Sequence, residues 1–258
     1  MNKSTQNSSG KKIRLDQLLV KKGLAESRER AKAKIMAGEV EIDGLKADKP
    51  GHSFPESAEI TLKQASLPYV SRGGLKLEAA LDHFEIDVRD LVIIDIGAST
   101  GGFTDCLLQK GAKKVLAFDV GYGQLHWKLR QDDRVAVFER TNARYLKAED
   151  VNEAVNGAVI DVSFISLKLI IPPVSAVLPP DSFIVALIKP QFEAGKEQVG
   201  KGGVIKDPEL HKSITGNIRE FCINNGWKVE GCIPSPVLGP KGNREFLIYL
   251  KGQTIPLP

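Results

Sequence analysis

Five short apolar segments alternate with stretches of helical length in the middle of the chain, and this order restricts the fold more than any other feature. The segments are LVIIDIG (91–97), VLAFDV (115–120), VAVFER (135–140), AVIDVSF (158–164) and SFIVALIK (182–189). Strand-like runs that alternate with helix-length stretches are typical of strand-helix-strand units. The pattern therefore predicts a parallel sheet with helices on both faces.

The end of the chain has a different pattern. Two strand-like runs, WKVEGCIPSPV (227–237) and REFLIYLKG (244–252), are joined by the Gly/Pro loop LGPKGN. This loop is too short for a crossover helix, so the two runs are predicted to form an antiparallel hairpin at the sheet edge. A seven-stranded, mostly parallel α/β sheet with an edge hairpin is the Rossmann-like layout of class I methyltransferases.

The first quarter of the chain is basic. Residues 1–65 hold 13 Lys/Arg against 9 Asp/Glu, which accounts for the whole net charge of +4. Leucines at helical spacing, a candidate N-cap at Ser27 and a tight turn at Asp43-Gly44 predict two helices followed by a hairpin. Such an excess of positive charge suits the phosphates of a nucleic acid, and it also suits a solvated protein face.

A chain of 258 residues with 42% apolar composition exceeds the commonest size of a single domain. We therefore expect two unequal domains. The expected division is a disordered polar tail at 1–12, a small α+β domain at 13–65, a linker at 66–70 that contains Pro68, and an α/β domain at 71–258.

Several classes of protein are disfavoured. No run approaches the roughly 20 apolar residues that a membrane-spanning helix needs, and the first residues have no apolar core of a signal peptide. We expect a cytoplasmic protein. The odd set of Cys106, Cys222 and Cys232 lacks the spacing of a disulfide framework or zinc site, so we expect reduced thiols and no metal.

Polar residues or glycines follow the predicted strands. In open α/β sheets, ligands bind where the carboxyl ends of the strands meet, and an antiparallel last strand starts at that same edge. Each such residue alone is more often a helix cap or a solvated residue, but six polar side chains together predict a site. The residues gathered there are Asp95, Gly97, Asp119, Asn142, Asp161, Lys189 and Glu245.

The turn after the first strand discriminates between cofactors. The dinucleotide fingerprint GxGxxG requires a middle glycine, but Ser99 stands there, which disfavours NAD. S-adenosylmethionine needs only a backbone that approaches the ligand closely and a carboxylate for its ribose hydroxyls, and Asp119 supplies that carboxylate. Asn142 is expected near the adenine and Asp161 near the methionine end. The candidate donor-binding residues are Asp95, Gly97, Ala98, Ser99, Gly101, Gly102, Phe103, Asp119, Val120, Asn142 and Asp161.

The basic N-terminal block resembles a known RNA-binding module. The run RLDQLLVKKGLAESRERAKAKIMAGEVEIDG is similar to the S4-like domain, and the resemblance extends from residue 14 to about residue 61. Ile42-Asp43-Gly44 stands where Val-Asn-Gly is more usual. The resemblance implies that this domain contacts structured RNA through Arg14, Arg28 and Lys32.

The α/β region resembles the TlyA branch of the FtsJ-like ribosomal RNA methyltransferases, a family that has also carried the label haemolysin A. The motifs that carry the resemblance are SRGGLKLEAAL, DIGASTGGFTDCLLQKGA, DVSFISL, ALIKPQFE, VGKGGVIKDPELH and GNREFLIYL. GASTGGF stands where the FtsJ branch proper has GAAPGGW. The resemblance implies methylation of a cytidine ribose 2'-hydroxyl in ribosomal RNA by a tetrad at Lys76, Asp161, Lys189 and Glu245.

A ribose hydroxyl is a weak nucleophile, so its attack on a sulfonium methyl requires alignment and a proton acceptor. Lys189 is the expected central residue, and it either deprotonates or orients the hydroxyl. Crowding by Lys76 and burial would favour its neutral form, which the two carboxylates oppose while they hold the amine. Arg72 and the loop at residues 195–206 are expected to approach the RNA backbone.

Three other functions compete with this interpretation. S4-like domains often precede pseudouridine synthases, but those have a mainly antiparallel catalytic domain. A membrane-lytic protein would need an amphipathic pore segment or an export signal, and the sequence shows neither. A non-catalytic RNA-binding assembly factor would have no need of the whole tetrad.

Overall fold

A computed structural model shows two compact units, residues 1–67 and residues 68–258. The first unit has one hydrophobic core and the second unit has two. The tail expected at 1–12 lies outside the described part of the chain except for Lys12. The described residues are 12–36, 38–62, 67–200, 202–239 and 241–253.

The described residues of the first unit form two helices and five short strands. Their bounds are β1 Lys12–Arg14, α1 Leu15–Lys21, α2 Arg28–Met36, β2 Val40–Ile42, β3 Leu45–Lys46, β4 Ser53–Pro55 and β5 Ile60–Leu62. Strand β2 pairs antiparallel with both β3 and β5, and β1 pairs antiparallel with β4. The two helices and the hairpin predicted from sequence are confirmed, whereas the β1–β4 pair was not predicted.

The second unit contains the larger sheet and the helices that cover it. Its strands are β6 Val92–Ile96, β7 Lys114–Phe118, β8 Val135–Phe138, β9 Gly157–Ile160, β10 Phe183–Ile188, β11 Trp227–Pro234 and β12 Phe246–Gln253. Its α-helices are α3 Gly73–His83, α4 Gly102–Gln109, α5 Trp127–Arg130, α6 Ile171–Ser175, α7 Pro190–Glu193 and α8 Pro208–Asn224. Short 3₁₀ helices lie at Ala143–Tyr145, Ala148–Asp150, Leu167–Leu169 and Lys196–Gln198.

The seven strands of this sheet lie in the order β11-β12-β10-β9-β6-β7-β8. The five strands from β6 to β10 run parallel, and β12 pairs antiparallel with both β10 and β11. The predicted α/β fold of class I methyltransferases, with its edge hairpin and the small N-terminal α+β unit, is confirmed. Near-continuous apolar strands fit this arrangement because both faces of the sheet are covered.

Two hydrophobic cores lie on opposite faces of the sheet, because successive side chains of a strand point to opposite sides. In β6, Ile94 belongs to the core that contains α6 and α8, whereas Ile93 belongs to the core that contains α3 and α4. The same alternation in β12 assigns Phe246 to the α8 face and Leu247 to the α3 face.

The segment just before α3 belongs to the second unit and packs against its helices. The backbone N–H of Val70 donates to Asp105 (2.8 Å), and the Gln109 amide donates to the carbonyl oxygen of Pro68 (2.7 Å). Tyr69 is buried, and its hydroxyl donates to Glu78. Of the residues expected as a linker, 68–70 therefore lie against α3 and α4.

Candidate active site

Lys189 and Glu245 lie next to each other at one edge of the large sheet. Ile188, the last residue of β10, is paired with Phe246, the first residue of β12. Lys189 and Glu245 therefore extend this antiparallel pair by one position. The edge is the one at which all the parallel strands end, as expected for a ligand site in an open α/β sheet.

The first charged pair of the site joins a helix to the edge hairpin. Lys76 of α3 donates a hydrogen bond from Nζ to Oε2 of Glu245 at 2.6 Å. Both side chains are almost fully buried, with 9% of Lys76 and none of Glu245 exposed. Because two buried charges are stabilised mainly by each other, this contact fixes α3 against the start of β12.

The second charged pair lies between the ends of β9 and β10. Lys189 Nζ is 2.6 Å from Oδ1 of Asp161, and the two form an ion pair. The same ammonium donates to the Ser163 hydroxyl at 2.8 Å. The four residues expected as a tetrad are thus arranged as two ion pairs, each lysine with its own carboxylate. Ser163 was not predicted, although its place two residues after Asp161 puts it in the same loop.

Glycine and asparagine residues in the hairpin loop support Glu245 from behind. A Cβ atom at Gly239 would lie 2.4 Å from Glu245 Oε1, so only glycine leaves room for this carboxylate. Asn243 is buried and accepts the N–H of Ile205 while its amide donates to the carbonyl oxygen of Gly203. The buried amide therefore ties the glycine-rich loop at 202–205 to the residues that precede Glu245. Neither role was predicted from sequence.

A first cavity of about 310 Å³ opens beside the charged pairs. Three of the four tetrad residues line it: Lys76, Asp161 and Lys189. Arg72, the residue before α3, also lines it. The cavity is also lined by five further residues that were predicted to bind the methyl donor: Gly97, Ala98, Ser99, Gly102 and Phe103.

A second cavity of about 430 Å³ adjoins the first. The two cavities share Gly97, Ser99, Asp161 and Ser163 in their walls. The second one is more apolar and contains three further residues predicted to bind the methyl donor, Asp119, Val120 and Asn142. Its size is suited to a small ligand.

Asp119 is held by the backbone around the second cavity. Its two carboxylate oxygens accept the N–H groups of Ser99 (2.8 Å) and Gly121 (2.7 Å). Each carboxylate oxygen can accept a further hydrogen bond, so Asp119 retains capacity for ribose hydroxyls. Asn142 is partly engaged as well, because its side-chain oxygen accepts the N–H of Arg144.

Asp95, in β6, and Gly101, in the loop between β6 and α4 that we call the glycine loop, line neither of the two cavities. Asp95 is fully buried, its Oδ2 accepts a 2.6 Å hydrogen bond from Thr104, and burial raises its pKa to about 7. Gly101 precedes α4 with a φ of 96°, and a Cβ there would lie 2.2 Å from Leu129. Asp95 thus supports the glycine loop from β6 through its contact with Thr104 of α4, and Gly101 supports it from within.

Gly97 allows the loop after β6 to pack against the loop after β9. Its φ is +82°, and a Cβ atom would lie 2.6 Å from the carbonyl oxygen of Asp161. Gly97→Ala is expected to lower the free energy of unfolding by at least about 1–2 kcal/mol for the left-handed backbone alone. It is also expected to weaken donor binding, because the new Cβ atom would push apart the two loops that form the shared wall of the cavities. Thermal unfolding and calorimetric titration with S-adenosylmethionine measure the two effects.

Gly216 in α8 is the matched control for this substitution. It has open space around its Cα and no left-handed φ. Gly216→Ala is expected to stabilise the helix by about 0.5–1 kcal/mol without changing donor affinity. Equal donor affinity in the Gly97→Ala protein would contradict the role given to Gly97.

The first unit holds three residues predicted to contact RNA. Arg14 and Arg28 both bind the buried carboxylate of Asp16, at 3.1 and 3.0 Å. The hydrogen bonds from Arg14, followed by those from Arg28, hold the pKa of Asp16 at about 2, below its usual value, against the opposing effect of burial. The arginines are half exposed and Lys32 is exposed. Asp16, which the sequence pattern left without a role, therefore orients the two arginines.

Two further properties concern the described residues only. None of their helices is long and apolar enough to span a membrane. Among them, no group of three or more His, Cys, Asp or Glu side chains is arranged to hold a metal ion.

The fold, the two adjoining cavities and the carboxylate beside the glycine loop define a class I methyltransferase, with S-adenosylmethionine as its methyl donor. Residues 69–252 match the FtsJ-like methyltransferase family, and residues 13–60 match the S4 domain. The chain belongs to the TlyA branch of the FtsJ-like methyltransferases.

Individual relatives are similar over nearly the whole chain. The 16S/23S rRNA (cytidine-2'-O)-methyltransferase TlyA of Mycobacterium tuberculosis is 46% identical over 95% of this chain and 91% of its own. Hemolysin A of Brachyspira hyodysenteriae is 44% identical over 92% of this chain and 99% of its own. A solved structure from Streptococcus thermophilus, provisionally named a hemolysin, has 49% identity and a TM-score of 0.76, and the match covers 95% of this chain and 90% of that one.

Proposed function

We propose that this protein methylates the ribose 2'-hydroxyl of a cytidine in ribosomal RNA. The observation that carries the proposal is the shared wall of the two cavities, which contains Asp161 and Ser163. One cavity has the features of a nucleoside site, and the other has two lysines able to act on a hydroxyl. The activity named for the TlyA relative supports the choice of RNA and of cytidine.

The residues around the second cavity fit S-adenosylmethionine. The close approach of Gly97 to the loop after β9 leaves backbone in the wall, and Asp119 keeps free acceptor capacity for ribose hydroxyls. We propose that Asn142 and Val120 flank the adenine, and that Asp161 lies near the amino-acid end. When bound, this donor supplies an electrophilic methyl group on a sulfonium centre.

Lys189 is the proposed central residue of the transfer reaction. Its ammonium lies between Asp161 and Ser163, so its position is fixed before the substrate arrives. Preorganisation of this kind lowers the entropy cost of aligning a hydroxyl for attack. Lys189 either takes the hydroxyl proton, which requires its neutral form, or orients the hydroxyl as a hydrogen-bond donor. The Lys76–Glu245 pair is proposed to position the substrate next to it.

The RNA is proposed to bind both units. Residues 13–65 would contact structured RNA through Arg14, Arg28 and Lys32, and residues 71–258 would carry the catalytic site. Arg72, in the wall of the first cavity, is proposed to contact the RNA backbone. We propose that the protein methylates this RNA in the cytoplasm, as part of ribosomal subunits.

The decisive experiment combines the purified protein, ribosomal RNA or ribosomal subunits, and labelled S-adenosylmethionine. Label on a cytidine ribose, located by 2'-O-methylation mapping, is the expected result. Label on a base would refute the reaction class. Comparison of naked RNA with the two subunits identifies the physical substrate.

A lytic function is the second candidate, because one relative is named Hemolysin A. The same preparation, added to erythrocytes or lipid vesicles, is expected to cause no release of contents. Lysis by a protein that transfers no methyl group would favour this candidate instead.

Asp119→Ala is expected to weaken S-adenosylmethionine binding by roughly ten- to a hundredfold, since hydrogen bonds to a charged group are worth about 1.5–3 kcal/mol. The loss includes the ribose contacts and the anchoring of the Ser99 N–H. Isothermal titration calorimetry measures the dissociation constant. Asp87→Ala serves as control, because this exposed carboxylate lies before β6, at the other edge of the sheet. Unchanged affinity in the Asp119 variant would contradict the ribose assignment.

A further inference from the structure

A third cavity, of about 330 Å³, lies on the α8 face of the edge hairpin and shares no lining residue with the two cavities above. Its walls come from the first turns of α8, the end of β11 and the start of β12, near the edge at which the parallel strands end. We call it the α8 cavity. Its polar walls are His211, Lys212, Thr215 and Arg244, and its apolar walls include Phe246 and Cys232.

His211 is the feature that points to a ligand. The side chain is 7% exposed, and its ring packs edge-on against Phe246, with 5.6 Å between ring centroids. Its Nε2 atom is shielded from solvent and has no hydrogen-bond partner. Buried polar nitrogen atoms in native proteins are nearly always paired, because an unpaired one costs about 1–3 kcal/mol. His211 lines the cavity, so an acceptor atom bound there would satisfy this nitrogen if Nε2 carries the ring proton and the ring turns towards the cavity.

The charged walls of the α8 cavity are all positive. Lys212 and Arg244 are exposed, and neither forms an ion pair with an acidic side chain in the part of the chain that the structure describes. No carboxylate lines the cavity. The lysines of the active site differ in this respect, since Lys76 and Lys189 each have a carboxylate partner.

We propose that the α8 cavity binds a phosphate group of the RNA backbone. A guanidinium, an ammonium and an imidazole around one cavity match the several acceptor oxygens of a phosphate better than the two of a carboxylate. The identity of the ligand as RNA rests on the proposed function.

The position of the cavity fits a contact that holds the substrate strand. Arg244 directly precedes Glu245 in sequence, and Phe246 directly follows it. Glu245 binds Lys76 of α3, whereas Phe246 packs on the α8 face, so the cavity and the tetrad lie on opposite sides of one strand end. An RNA strand crossing this end would have its ribose at the tetrad and another of its phosphates in the α8 cavity.

Lys212→Glu, His211→Phe and Arg244→Gln in the full chain test the proposal. The KM for protein-free ribosomal RNA is expected to rise about tenfold, as for loss of one charge-assisted contact. The slope of log affinity against log salt concentration is expected to fall by about 1 for Arg244→Gln, which removes one positive charge, and by more for Lys212→Glu, which reverses one. Affinity for S-adenosylmethionine and kcat are expected to stay unchanged.

Lys228→Glu provides the matched control. Lys228 is exposed and lies at the opposite end of the hairpin, beside Glu230. Its replacement reverses the same charge as Lys212→Glu does. It is expected to leave the KM for RNA at the wild-type value. His211→Phe keeps a flat ring against Phe246. If His211→Phe does not fold, Lys212→Glu still tests the proposal, because Lys212 is exposed.

Titration with inorganic phosphate distinguishes the two possible sources of the ligand. A shift of the His211 imidazole resonances that is lost in Lys212→Glu, together with the change in KM, supports an RNA phosphate. The same shift with unchanged RNA binding would assign the cavity to free phosphate and overturn the RNA contact; no shift and no change in KM would overturn the site itself. If the wild-type protein methylates no RNA, the proposed function fails, and the phosphate titration still decides whether the cavity binds phosphate.

Discussion

Lys189→Ala is expected to lower kcat for methyl transfer by about 10²–10⁴-fold, the range contributed by a positioned acid or base. S-adenosylmethionine should still bind with nearly wild-type affinity. The physical reason is that Lys189 lines only the first cavity, whereas Asp119 and Asn142 lie in the second. Single-turnover methylation of ribosomal RNA and calorimetric titration of the donor measure the two quantities separately.

Lys189→Arg separates the two roles proposed for this residue. Arginine remains protonated in proteins, so it can donate hydrogen bonds to a hydroxyl but cannot accept its proton. Activity near that of Lys189→Ala would indicate that the lysine is a base, and substantially higher activity would indicate an orienting role. Lys168→Ala is the matched control, an exposed lysine next to Phe221 that lines neither cavity. Full activity of Lys189→Ala would sink the assignment of Lys189 as the central residue.

The fold could be predicted from sequence because its signals are local. The apolar runs of β6 to β10 and the short loop before β12 report secondary structure, and the rule for parallel sheets then places the strand ends at one edge. The same rule brought Lys189 and Glu245 together, as the pairing of Ile188 with Phe246 shows. Residue types at strand ends were therefore sufficient to bring Asp161, Lys189 and Glu245 to one edge, whereas Lys76, in α3, was predicted only from the family resemblance.

The pairings inside the site could not be predicted, because they join residues far apart in sequence. Lys76 and Glu245 are separated by 169 positions, and nothing local indicates that this lysine would pair with this carboxylate rather than crowd Lys189. The same holds for Asn243, which binds the loop at 203–205, and for Gly239, whose need for glycine appears only once Glu245 is in place. Such contacts depend on how helices and loops pack, which a strand pattern does not specify.

Glu245→Met is expected to destabilise the protein by about 3–5 kcal/mol, the cost of leaving a buried charge without its partner. The uncompensated charge is that of Lys76, whose side chain is only 9% exposed. Lys76→Met should have a similar effect through Glu245, which is not exposed at all. Chemical denaturation followed by circular dichroism measures the free energy of unfolding of each variant.

The double variant Lys76→Met/Glu245→Met separates stability from activity. Replacing both charges of a buried pair by apolar side chains of similar length is often neutral, so the free energy of unfolding should return to within about 1 kcal/mol of the wild-type value. Methyl transfer should stay low, because the hydrophobic pair cannot bind a polar substrate at the wall of the first cavity. Recovery of both stability and activity would show that the pair only holds α3 against β12. Recovery of stability alone would show that the charges serve the reaction.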